Sequence, residues 1–183
     1  KRAKGAGVHR MVTICTRLRN EPMVRVLAER YKPVFFAAGT HPMSAAEEPL
    51  ATVEQLLSIA AHPKCVGLGE TGLDYHYTSE SAAIQKTSLC VHIEAAQMSG
   101  LPLIIHARAA DNDTADILSE EFQNAPFSCV MHCFSSGTGL AKTALDLGFY
   151  LSMSGIVAFP KSQDLRDIFA SAPVDRILVE TDS

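Results

Sequence analysis

Four residues that can bind a metal follow short apolar runs at widely separated points of the chain. Cys65-Val66-Gly67-Leu68-Gly69 leads into Glu70, Leu103-Ile104-Ile105 into His106, Cys129-Val130-Met131 into His132, and the run from Ile177 to Thr181 into Asp182. Singly, such residues are ordinarily hydrogen-bonded surface groups; as a set, each closing a strand-like segment, they form a pattern. If the strands lie parallel in one barrel, their C-terminal ends open on one face and the four side chains converge there. Carboxylate oxygen together with imidazole nitrogen suits zinc, manganese or magnesium and does not by itself select among them. Such an ion lowers the pKa of a bound water to about 7 and polarises a scissile carbonyl or phosphoryl group, which is hydrolytic chemistry. Asp182, ending the last apolar run, is the expected acceptor of the water's proton.

Neighbouring residues add to this set. His41 follows Phe35-Phe36-Ala37-Ala38-Gly39-Thr40 and precedes Pro42, which biases it towards an extended conformation, so it is expected at the same mouth, touching substrate rather than metal. Arg108, two residues beyond His106, could grip a phosphate or carboxylate through two parallel hydrogen bonds; a structural salt bridge is the equal alternative. Tyr75 and His76 either line the cleft or pack their own loop. His9, His62 and His92 precede a strand, follow a helix and lie within a helix, so they are expected away from the mouth. Cys133 adjoins His132, and adjacent strand residues face opposite sides, so a buried or half-buried thiol is expected there rather than a ligand.

The elements that must position these residues alternate along the chain. Strand-like runs occur at 8–15, 34–39, 65–69, 103–106, 128–132, 149–152 and 177–181, and amphipathic helical stretches at 21–30, 51–61, 81–99, 109–123, 138–147 and 163–170. Continuous apolar strands such as Leu103-Ile104-Ile105 suit a parallel sheet buried on both faces, and Gly100, Gly148 and Pro173 stand where the chain should turn. The expected fold is therefore α/β, a TIM-type (β/α)8 barrel. A doubly wound open sheet is the alternative, but Cys15-Thr16-Arg17-Leu18 stands where its Gly-rich turn would be. Such a barrel takes about 250 residues. With 183 residues and seven strand-like runs, residues 1–183 are expected to be a single truncated domain, lacking the first strand and the C-terminal helices.

Composition narrows the partners. A net charge of -4 provides no broad basic surface for duplex nucleic acid, so any nucleic-acid role must work through a local site. Five cysteines without a CxxC pair suggest a reducing, cytoplasmic setting, and no apolar run approaches the length of a membrane span.

The motifs resemble those of the TatD-like metal-dependent DNases, a family within the amidohydrolase-like barrels. Gly39-Thr40-His41-Pro42 resembles the family's G-x-H-P segment, and Gly69-Glu70-Thr71-Gly72-Leu73-Asp74 its G-E-x-G-L-D motif. His106-Ala107-Arg108 is similar to H-x-R, His132-Cys133-Phe134-Ser135 to H-C-F-S, and Glu180-Thr181-Asp182-Ser183 to E-T-D-S. The resemblance implies Glu70, His106, His132 and Asp182 as metal ligands, Glu70 bridging two ions, with His41 and Arg108 on substrate. It further implies a 3′-directed exonuclease acting on single-stranded DNA or RNA with magnesium or another divalent cation and no obligate protein partner. The family's first-strand His-x-His pair has no counterpart in this sequence. The ligand set within 1–183 is therefore expected to be incomplete, and an amide or ester hydrolase, or an inactive scaffold, stands as the alternative reading.

Overall fold

The computed structural model describes residues 2–181; Asp182, the expected fourth ligand, lies outside them. Seven strands, β1 (Met11–Cys15), β2 (Val34–Ala38), β3 (Cys65–Asp74), β4 (Leu103–Arg108), β5 (Cys129–Met131), β6 (Tyr150–Met153) and β7 (Ile177–Val179), form one parallel sheet in which spatial order follows chain order. A doubly wound sheet reverses its strand order at a switch point; this sheet never does, and it has the progression of a barrel wall.

Helices fill the connections. A short N-terminal α1 (Arg2–Gly5) precedes β1, and α2 (Glu21–Arg30), α3 (Val53–Ala60), α4 (Ala82–Ser99), α5 (Asp111–Asn124), α6 (Thr138–Asp146) and α7 (Gln163–Ser171) each link successive strands. Local chemistry fixes their ends. Thr52 and Gln55 form a reciprocal capping box at the start of α3, and Gly100, at φ 71°, ends α4 in the left-handed conformation that a side chain disfavours. Leu68, Leu73, Leu103 and Ile105 from the strands pack with Leu89 and Ile93 of α4 and Leu118 of α5, all fully buried. None of the described helices is long and apolar enough to cross a membrane.

Two strands run further than their apolar residues predict, and both carry site residues. β3 continues past Gly69 to Asp74 and β4 past His106 to Arg108. Between Leu68 and Thr71 the β3–β4 register shifts: Leu68 pairs with Leu103 and Thr71 with Ile105, leaving one extra residue on β3. Bulges of this kind re-aim side chains beside functional sites, and here Glu70 sits in the bulge. Pairing resumes through Gly72–His106 to Asp74–Arg108 because Gly72, at φ 140°, has no Cβ to overlap the His106 carbonyl oxygen. Periodicity alone ends β3 at Gly69, since the polar and glycine residues beyond it break the apolar run.

Candidate metal centre

Glu70 is the hub. It is buried, and its Oε1 lies 3.1 Å from His106 Nδ1, 3.5 Å from His41 Nε2 and 3.9 Å from His132 Nε2. Burial pushes the Glu70 carboxyl up. Hydrogen bonds from His106 and His41 and the charge of His41 and His132 outweigh it, so the group titrates far below the usual carboxylate range. Of the residues expected at the mouth, Glu70, His106, His132 and His41 thus meet around one oxygen, although β2, β3, β4 and β5 deliver them from separate parts of the chain.

The three histidines are not equivalent. His41 Nδ1 accepts the Met43 backbone N–H at 3.2 Å, so a neutral ring carries its proton on Nε2 and donates towards Glu70. His41 is a donor in this arrangement, packed edge-on against His106 with ring centroids 4.5 Å apart. His106 and His132 instead turn one nitrogen to Glu70 and the other to a second carboxylate: His106 Nε2 lies 3.1 Å from Asp74 Oδ2, and His132 Nδ1 lies 2.9 Å from Glu180 Oε2. Burial pushes Glu180 up as well, but hydrogen bonds from His132 and Ser152 hold it below its ordinary value.

A divalent cation fits this donor set. Metal–nitrogen and metal–oxygen bonds of about 2.0–2.2 Å put ligand atoms roughly 3 Å apart, near the spacings found around Glu70 Oε1. His41, Glu70 and His106 each offer one atom within 4.8 Å of the others, although His41 can act as a ligand only by giving up its proton.

Arg108 makes no ion pair among the described residues. Its guanidinium lies 4.7 Å from the Tyr77 ring centroid and faces a cleft of about 900 Å³ lined also by Tyr75, Ser135, Ser136, Ile156 and Phe159. Tyr75 thus lines the cleft, its hydroxyl donating to Asp113 at 2.6 Å, whereas the His76 ring packs against Tyr77. His62 contacts Glu29, and half-buried Cys133 lies 3.1 Å from Ser154 Oγ.

His92 lies behind the site rather than in it. Fully buried in α4, it donates from Nδ1 to the Ser88 carbonyl at 2.7 Å, and its Nε2 accepts the Thr40 N–H at 3.2 Å, anchoring the residue before His41. Burial holds its pKa down to about 4 from the usual 6.5. Between these values the unfolded chain binds more protons than the fold, so the stabilisation is complete above pH 6.5 and falls away as pH drops towards 4, by about 3 kcal/mol in all. Urea unfolding should show the stability gap between wild type and His92→Gln narrowing across this range; a constant gap would contradict the assignment.

Reading along the chain assigns Asp74 and Glu180 no role beyond membership of motifs. A parity signal was present, since Asp74 is four residues past Glu70 and Glu180 two before Asp182, but it needs strands extending beyond their apolar residues.

The model of the family described as TatD related DNase matches residues 1–183. The chain belongs to this family. It is 37% identical to an uncharacterized metal-dependent hydrolase TatD of Mycobacterium tuberculosis, over 100% of this chain and 70% of that protein. It is 28% identical to the 3′-5′ ssDNA/RNA exonuclease TatD of Klebsiella pneumoniae, again over 100% of this chain and 69% of that protein. The crystal structure of YjjV, a TatD homologue from Escherichia coli K12, superposes with a TM-score of 0.89 at 30% identity, covering 99% of this chain and 70% of that one. The seven strands therefore form the curled wall of a TIM-type TatD barrel. Against other curated relatives the share covered falls to 64% of their length.

Proposed function

We propose that the whole protein is a divalent-metal-dependent phosphodiesterase that removes nucleotides from the 3′ end of single-stranded DNA or RNA. The observation that carries this is the convergence of His106 Nδ1, His132 Nε2 and the ionised Glu70 carboxylate beside an arginine-lined cleft. The exonuclease relative from Klebsiella pneumoniae supports the substrate class.

Glu70, His106, His132 and, from the sequence, Asp182 would hold the cation, with Glu70 serving two ions of magnesium, zinc or manganese in the whole protein. When bound, the cation acidifies a water and draws charge from the phosphoryl group. Asp182 accepts the water's proton. His41 donates from Nε2 to a substrate oxygen, and the Arg108 guanidinium holds a neighbouring phosphate, supplying locally the positive charge that the acidic chain lacks overall. Residues 1–183 act as one domain carrying these groups. Cys15, Cys65, Cys90 and Cys129, all thiols, suit the cytoplasm.

The test is mononucleotide release from single-stranded DNA by the whole protein, lost on stripping the metal with a chelator and restored by magnesium, manganese or zinc. Hydrolysis of small esters with none of DNA would overturn the proposal. Phe159, 62% exposed at the cleft, has the position of a base-stacking platform. Stacking is worth about 1–3 kcal/mol per base, so Phe159→Ala should raise KM for an oligonucleotide about tenfold. Cleavage of bis-p-nitrophenyl phosphate, which has no bases, should be unchanged.

A further inference from the structure

The carboxylate behind His106 is held more tightly than a structural salt bridge requires. Asp74 is fully buried, and its Oδ1 accepts the backbone N–H groups of His76 at 2.9 Å and Tyr77 at 2.8 Å. Only Oδ2 remains, and it points at His106 Nε2. The Asp74 main chain is gripped as well. Its N–H donates to Gln85 Oε1 at 2.8 Å, and Gln85 Nε2 donates back to the Asp74 carbonyl at 3.2 Å. Gln85 is itself fully buried in α4, and the same amide also bonds Thr78 and Ser81.

This clamp has a chemical consequence. An imidazole has two nitrogens and, when neutral, one proton. A buried carboxylate oxygen whose twin is saturated by backbone donors draws that proton to Nε2, because leaving the oxygen without a donor is costly. Nδ1 is then turned towards Glu70 Oε1, 3.1 Å away, where the two electron-rich atoms need positive charge between them: a second ring proton in the metal-free site, or a cation that takes its place. Glu180 stands behind His132 on the side away from Glu70, its Oε2 accepting from Nδ1 at 2.9 Å and oriented by the Ser152 hydroxyl at 2.7 Å.

We propose that Asp74, locked by Gln85, is a positioning residue that fixes His106 in its Nε2–H form and thereby presents Nδ1 to the cation, with Glu180 and Ser152 doing the corresponding work at His132. This rests on the proposed function only in taking Glu70, His106 and His132 as metal-holding groups. Asp74 is fully buried and acts through His106.

The deciding variant is Asp74→Asn in the whole protein. Asparagine keeps the shape and can keep both backbone hydrogen bonds through its carbonyl, but it turns an NH₂ group towards His106 and reverses the polarity of that contact. Zinc affinity, measured by competition with a chromophoric chelator on stripped protein, should fall 10- to 100-fold, the range for groups that support metal-binding histidines. The ¹⁵N–¹H spectrum of the zinc-loaded protein should lose its His106 Nε2–H signal, and the unfolding temperature of the stripped protein should change little. Unchanged zinc affinity would overturn the proposal, as would a loss of stability with affinity and signal intact. Should Asp74→Asn fail to fold, Glu180→Gln applies the same measurements at His132 and is decided by the same outcomes. If wild type itself binds no divalent metal, the proposed function fails; if it binds and the variants bind equally well, only the positioning role does.

Discussion

Replacing His106 with alanine is expected to lower the rate of nucleotide release by about 10³-fold, since a metal's stabilisation of transition-state charge is worth several kcal/mol and each 1.36 kcal/mol is tenfold. His106 is the ring closest to Glu70, and in the geometry described it contributes the Nδ1 that faces the shared oxygen. Its removal has a second effect. Asp74 Oδ2 would be left buried without its imidazole donor, at a cost of about 1–3 kcal/mol, so the variant should also unfold at a lower temperature. The two effects are separable. His106→Gln can still donate an amide N–H towards Asp74, and it should recover stability without recovering activity. Measuring kcat/KM on single-stranded DNA beside thermal unfolding for both variants decides the matter, and full activity in either would show that His106 holds no catalytic metal.

The largest effect on stability is expected at Gly72. Its φ of 140° is a conformation that residues with a Cβ rarely adopt, and a Cβ there would overlap the carbonyl oxygen of His106 on the neighbouring strand. Backbone strain of about 1–3 kcal/mol adds to overpacking of similar size, so Gly72→Ala should cost about 3–5 kcal/mol. For a domain of this length that corresponds to a fall in unfolding temperature of roughly 10 °C or more. Relief requires β3 and β4 to move apart at the Gly72–His106 pair, so divalent-metal binding should weaken together with stability. A variant with wild-type thermal unfolding would mean that β3 does not continue beside β4 beyond the bulge. Gly39 is a second close approach, where an added Cβ would lie 2.6 Å from Gly69 Cα, so the β2–β3 contact beside His41 also depends on a missing side chain.

Much of the architecture was legible in the residues because it depends on local pattern. Runs such as Leu103-Ile104-Ile105 alternate with amphipathic stretches, and their order alone predicts the parallel sheet that the structure contains. The helix expected at 81–99 ends where Gly100 predicts, at Ser99. The ends of β3 and β4 were not legible: Glu70, Gly72, Asp74 and Ala107 are poor strand formers, and they stay in the sheet only because each strand pairs with its neighbour.

The same division runs through the candidate site. The chain itself determined which chemistry is available, a glutamate and imidazoles closing apolar strands, because residue type and order are covalent facts. Tertiary structure alone decided how those groups face one another. That His41 donates whereas His106 and His132 each lie between two carboxylates follows from which backbone N–H reaches His41 Nδ1 and which carboxylates stand behind the other rings. Asp74 reaches His106 across 32 positions and Glu180 reaches His132 across 48, separations over which no spacing rule operates and only the closing of the sheet brings the atoms together.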